Sequence, residues 1–265
     1  MLKLKSHAVF IAIFLGLFVP MQAMALDLAV QPILPKKELQ KSFKPLADYL
    51  TKKTGHKIKF KAYSNFLRYW DDMRANKFDL VLDAAHLVDY RAQKHGHEVL
   101  AKVQDKVSFS LVTTEEGSVL EAEELIAKRI SCLAPPSRGN LQIDKFFTNP
   151  IRQPFKTETR SFKEAIKLLQ KGKVHASIVP TPMVKAFPGL YVVETTDLWP
   201  HMGFSASANV PANVKADLKK ALLGMKDDKA AAAALKASGI TGFEDGGNND
   251  YQGFMRILID TGYVN

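Results

Sequence analysis

Short apolar runs alternate with amphipathic segments along this chain, with only a few residues between them, and that alternation constrains the fold more than any other feature. Leu28–Val30 reads as a buried strand. Lys36–Lys53 reads as a helix because Leu39, Phe43, Leu46 and Leu50 recur at three- and four-residue spacing before Gly55 closes it. Ile58, Phe60 and Ala62 alternate with lysines, as in a half-exposed strand. Ser64 or Asn65 offers a cap to a helix carrying Leu67, Trp70 and Met73, and Phe78–Leu82 is a further buried run before a helix over 84–94. Strands and helices that alternate with short connections predict mostly parallel sheets covered by helices.

A second series follows a long strand expected at Val107–Thr114. Ile130–Ala134, Phe155–Glu158 and Ala176–Val179 read as strands, and Leu141–Phe147 and Ser161–Gln170 as helices. Ser161 with Glu164 forms a capping box, and Thr181-Pro182 fits a cap followed by a first-turn proline. Beyond these come a strand at Met202–Val210, a helix at Pro211–Met225, an alanine-rich helix at Asp228–Ala237 stopped by Gly239, and a closing helix at Tyr251–Ile259. Five or six strand–helix units fall short of the eight a barrel needs, so two α/β lobes are expected.

Residues 1–25 stand apart from this pattern. Lys3 and Lys5 precede an apolar stretch from Val9 to Val19, Pro20 breaks it, and Ala23-Met24-Ala25 has the small-x-small form of a cleavage site. The run is shorter than the roughly 20 residues that span a bilayer. We expect a signal peptide cleaved after Ala25 and a periplasmic product with no spanning segment of its own. The formal net charge is +10, of which Lys3 and Lys5 supply two. Export and the lack of a nucleic-acid motif argue against nucleic acid as the partner of that charge. One cysteine, Cys132, excludes a disulfide scaffold and is expected to be a buried small hydrophobe.

Four stretches carry a resemblance to a known family. They are Phe43-Lys44-Pro45-Leu46-Ala47-Asp48-Tyr49-Leu50, Met73-Arg74-Ala75-Asn76-Lys77-Phe78-Asp79-Leu80, Ala134-Pro135-Pro136-Ser137-Arg138-Gly139-Asn140-Leu141, and Gly239-Ile240-Thr241-Gly242-Phe243 with Asp250-Tyr251. In that order they resemble the periplasmic substrate-binding proteins of ABC importers, in the phosphate/phosphite/phosphonate-binding group. The resemblance implies a type II periplasmic binding protein fold: two lobes, each a mostly parallel sheet with helices on both faces, joined by two crossing strands and enclosing a ligand. On that reading 26–108 and 205–265 form a discontinuous first lobe and 109–204 the second, with the crossings at Val107–Thr114 and Met202–Val210.

Loops that lead from parallel strands into helix N-termini attract anions, because free N–H groups and the helix dipole face them. Ser137, Arg138, Gly139 and Asn140 form the leading candidate. Ser137 matches the family's first hydroxyl, Gly139 allows close backbone approach, and Arg138 offers a bidentate fork. Gly139 also stands where the family carries a second hydroxyl, which leaves the ligand itself open. Ser64 and Asn65 read as caps or ligand contacts, Tyr63 as core or cleft wall, and Thr181 as cap or contact. His86 reads either as a surface histidine or as a donor whose grip on an anion falls as pH rises. His95 and His97, flanking Gly96, read as a solvated loop rather than a metal site.

No G-x-S-x-G, H-E-x-x-H, P-loop or C-x-x-C motif is present. The expectation is therefore a monomeric binding protein, not an enzyme, with no cofactor and no metal. It would close on a small phosphonate-, phosphate- or phosphite-like anion and present it to a membrane permease and ATPase. A ligand-sensing subunit for a membrane histidine kinase is the alternative, and an oxyanion-processing enzyme a third.

Overall fold

A computed structural model describes residues 25–117 and 119–265, so the expected signal peptide lies almost wholly outside the described residues. The elements in the first stretch are β1 (Leu26–Val30), α1 (Lys36–Thr54), β2 (Ile58–Lys61), α2 (Phe66–Arg74), β3 (Leu80–Asp83), α3 (Ala85–His95), β4 (Glu98–Val103), β5 (Lys106–Val107) and β6 (Phe109–Thr114). There follow β7 (Arg129–Leu133), α4 (Arg138–Phe146), β8 (Phe155–Thr159), α5 (Phe162–Gln170), β9 (Ala176–Pro180), α6 (Thr181–Val184), β10 (Leu190–Thr195), β11 (Trp199–Pro200) and β12 (Gly203–Ala206). The chain closes with α7 (Ala212–Leu223), α8 (Ala232–Ser238), β13 (Phe243–Glu244) and α9 (Arg256–Asp260).

Eleven of these strands make two large sheets, and β5 and β11 a separate two-stranded one. The first has the order β13-β4-β12-β3-β1-β2, and the second β10-β6-β9-β7-β8. β1 runs parallel to β2 and β3, and β7 parallel to β8 and β9, as the alternation requires. The reversed strands are β12, antiparallel to β3 and β4, the edge strand β13, antiparallel to β4, and β6, antiparallel to β9 and β10.

Helix α1 buries Leu39, Phe43, Leu46 and Leu50 on one face of the first sheet and ends at Gly55, whose φ of 77° is the left-handed value that glycine adopts without strain. α7 and α8 share that face, through Leu218, Leu222 and Ala234. The opposite face joins Tyr69, Trp70 and Met73 of α2 to Leu133 and Leu141 of the second lobe and to Met255, Ile257 and Leu258 near the C-terminus. That one apolar cluster spans both lobes, so the lobes are in contact here.

The crossovers differ from the expected strands. The first runs through β5, and the chain breaks at Ser108 before β6 enters the second sheet; the second runs through β11. β5 and β11 pair with each other, Val107 opposite Trp199 and Lys106 opposite Pro200, as a two-stranded ribbon between the sheets. Gly203 and Phe204 already pair in the first sheet, so the chain is back in that sheet before residue 205.

The sequence pattern missed β4 and β10. It also placed His95 and His97 in a solvated loop, which the structure corrects. His97 is 1% exposed and contacts Asn76 and Ser205, and His95 stacks edge-on against Tyr90. Burial pushes the His97 imidazole down to about 2, so it packs as a neutral ring.

Candidate functional site

The carboxyl ends of β1, β3, β7 and β9 all release their chains into the space between the two sheets, which brings four loops into one cleft. The cleft has two chambers. The inner one, of about 130 Å³, lies against the crossovers. Gln31, Ile33, Ala84 and Ala85 of the first lobe face Phe109, Arg138, Phe162 and Pro180 of the second, and Val107, Pro200, His201 and Met202 form its floor. The outer one, of about 230 Å³, has Pro32, Ser64, Asn65 and Phe66 facing Ala134, Glu158, Thr159 and Arg160.

Arg138 dominates the inner chamber. It is the first residue of α4 and only 4% exposed. One Nη donates to Val107 O at 2.9 Å, and the other to Asp197 O at 3.1 Å and Thr196 Oγ1 at 3.4 Å, so the guanidinium ties both crossovers to α4. Its carbon lies 4.0 Å from the centre of the Trp199 ring and 5.1 Å from that of Phe109. Nε–H is buried without a partner. Burial pulls this guanidinium down to about 9, an uncommon position for a side chain that stays charged almost everywhere else. The structure thus holds a desolvated cation whose polar partners are a hydroxyl and carbonyls, beside the N–H groups that the first turn of a helix leaves unpaired.

The neighbours of Arg138 do different work from the expected contacts. Ser137 caps α4: its Oγ accepts from Asn140 N–H at 3.4 Å and donates to Leu133 O at 3.1 Å. Asn140 donates to Leu133 O and Cys132 Sγ and accepts from Lys156 Nζ at 3.0 Å, so its amide is spent inside the second lobe. A Cβ on Gly139 would sit 3.4 Å from Phe109 and Ile178. The missing side chain leaves α4 close against β6 and β9 there.

His86 is fully buried in the first turn of α3, which corrects its reading as a surface histidine. Its Nε2–H donates to Pro136 O at 2.9 Å, linking the first lobe to the loop of the second, while Nδ1 has no partner. Burial is the main cause that pushes the imidazole down to about 4; Arg138 and Arg91 add to it, and the Pro136 bond and Asp83 oppose it. The pH dependence therefore has the opposite sign to that expected of an anion donor. A histidine held at about 4 instead of 6.5 gives stability that is present above pH 6.5 and lost as pH falls towards 4. Between pH 7 and 5 this one group accounts for about 2 kcal/mol. Urea unfolding of the wild type and of His86→Gln at both pH values tests this: the variant's loss on acidification is expected to be smaller by that amount, and equal losses would refute it.

Asp83 ends β3, two residues before α3 begins. It takes Arg91 in a two-pronged pair at 2.5 and 2.8 Å and accepts the Tyr69 hydroxyl at 2.6 Å, with all three side chains buried. Tyr63 is core, its hydroxyl on Asp72 at 2.7 Å and its ring among Tyr69 and Phe78. Thr181 Oγ1 bonds Ser108 and Ser110, at 2.8 and 2.9 Å, instead of capping α6. Asn65 caps α2, accepting from Arg68 N–H at 2.9 Å, and with Ser64 it lines the outer chamber, apart from Arg138. Asn65→Ala is expected to cost about 1 kcal/mol in urea unfolding and to leave anion affinity at the inner chamber unchanged.

Residues that the sequence pattern did not single out complete the inner chamber: Gln31, Phe109, Phe162 and His201. Gln31 follows β1 and obeys the same strand-end rule as the candidate residues after β2, β3, β7 and β9, and its Oε1 accepts Ala84 N–H at 3.4 Å. Among the described residues, no three His, Cys, Asp or Glu side chains gather as metal ligands, and no helix is long and apolar enough to cross a membrane.

Two α/β lobes, two crossovers and a cleft fed by strand ends and helix N-termini define a solute-binding protein of the two-lobed periplasmic class. A family model described as the periplasmic substrate-binding protein of an ABC phosphonate transporter matches residues 28–251, and the chain belongs to that family. The fold is similar to PhnD1 of Prochlorococcus marinus, solved in complex with methylphosphonate, with a TM-score of 0.79 at 15% identity, covering 91% of this chain and 99% of that one. It is also similar to a binding protein component of an ABC phosphonate transporter from Pseudomonas aeruginosa, with a TM-score of 0.75 at 12% identity, covering 89% and 86%. A Xanthomonas citri protein bound to a chloride ion gives a TM-score of 0.76 at 13% identity, covering 91% and 99%. No curated protein matches the sequence.

Proposed function

We propose that this protein is the solute-binding component of an ABC importer, exported by a cleaved signal peptide, that captures a small oxyanion in the inner chamber and delivers it to a permease–ATPase complex. The first lobe comprises 26–108 and 203–265, the second 109–202, and the β5–β11 ribbon is the hinge about which they close. One observation carries the reading: the buried Arg138 guanidinium, without a carboxylate partner, lines a cavity between the lobes. A buried cation is costly unless it is paired, and an incoming oxyanion supplies the pair. Binding is the only chemistry required; the inner chamber brings His201 and Arg138 together with no nucleophile between them.

Thermal unfolding with phosphate, phosphite, alkylphosphonates, alkanesulfonates and carboxylates tests the proposal. A ligand at 100 times its Kd is expected to add about 2.7 kcal/mol of stability. No shift with any of these anions would refute the oxyanion reading.

A further inference from the structure

We infer that the inner chamber selects an oxyanion bearing a compact alkyl group and rejects one bearing an ammonium group. The inference rests on the anion reading above and narrows it to a substrate class. Arg138 is the only charged residue among those that line the chamber. The rest of the lining is mainly apolar: Ile33, Phe162 and Met202 share it with Val107 and Phe109, which lie beside the guanidinium, and Gln31 and His201 are its other polar side chains. Neither aspartate nor glutamate contributes to it.

The carboxylates near this region lie outside the lining. Asp197 and Asp105 are near enough for their charge to act on Arg138 and His201, but Asp197 lines a separate surface hollow with Gln142 and Lys145, and Asp105 accepts the Thr241 hydroxyl. Asp83, one residue from Ala84, is paired with Arg91 and Tyr69. Asp89 accepts Met255 N–H and the Gln93 amide. Glu158 lines the outer chamber. A ligand held by Arg138 therefore turns its other end onto hydrocarbon. An alkyl group gains by leaving water there, about fourfold in affinity per methylene. An ammonium group loses its hydration and finds no anion, which costs 100-fold or more.

Isosteric pairs with the same head group provide the test, in calorimetric titrations of the full mature protein at neutral pH. The pairs are propylphosphonate with 2-aminoethylphosphonate, and 1-propanesulfonate with 2-aminoethanesulfonate. The alkyl member of each pair is expected to bind at least 100-fold more tightly, and inorganic phosphate more weakly than methylphosphonate. Met202→Glu or Ile33→Glu, which sets a carboxylate in the chamber, is expected to narrow or reverse that preference. Equal affinity within the pairs would overturn the selectivity while leaving the anion reading intact. No binding by any of the four probes would overturn the selectivity, and no binding by these or by any other anion of the thermal series would overturn both.

Discussion

Arg138→Gln is expected to lower affinity for small oxyanions at least 100-fold. The substitution keeps a polar though shorter side chain and removes the one charge among the residues that line the inner chamber. A charge-assisted hydrogen bond is about twice as strong as a neutral one, and the site has little water to compensate. Arg138→Lys is expected to recover only part of the loss. An ammonium cannot donate through both Nη groups to Val107 O and Asp197 O while stacking on Trp199, so the crossovers lose their common tie. In the ligand-free protein, Arg138→Gln gives up those bonds and the stack but also removes a desolvated cation, and the stability change is expected to stay within about 2 kcal/mol. Calorimetric titration with an alkylphosphonate, alongside urea unfolding of each variant, separates the two effects. Wild-type affinity in Arg138→Gln would contradict the role given to this residue.

Arg91→Met is expected to be the most destabilising single substitution of those considered, at about 3–5 kcal/mol. Arg91 and Asp83 are 1% and 0% exposed, and the pair is closed by Tyr69 and Ser205. Removing the guanidinium strands a carboxylate in the core. Asp83→Asn together with Arg91→Met is expected to restore much of the loss, because the uncompensated charge is gone. The pair also bears on binding. Asp83 ends β3 immediately before Ala84 and Ala85, which line the inner chamber, and an unpaired carboxylate there would repel an incoming anion. Urea unfolding measures the first effect; a loss below 1 kcal/mol would contradict the structural weight given to the pair.

The local chemistry of the chain was readable from its sequence, and its non-local pairings were not. The three- and four-residue spacing in α1, its stop at Gly55, and the caps Asn65 and Ser161 depend on neighbours within one turn, and the structure shows each of them. β4 was missed because its run Val99-Leu100-Ala101-Lys102-Val103 follows a charged turn, and only its place between β12 and β13 makes it a central strand. β10 is an edge strand with Tyr191, Val192 and Glu194 exposed, so it carries no alternation to recognise. The same division holds at the site. Loops after strands with helix starts behind them identified the cleft, and Arg138 within it. Nothing local indicates that Arg138 reaches the carbonyls of Val107 and Asp197, or that Ser137 and Asn140 turn back to Leu133. Those partners lie across chain reversals that only the folded topology brings together.

A crystal of the protein with 2-bromoethylphosphonate tests the central claim most directly, since the bromine can be located by its anomalous scattering independently of the protein model. The account predicts a phosphonate oxygen within hydrogen-bond distance of Arg138 Nε and the α4 N-terminus, with the bromine against Phe162 and Met202. A bromine peak in the outer chamber, beside Ser64 and Arg160, with Arg138 still holding only the crossovers, would contradict it.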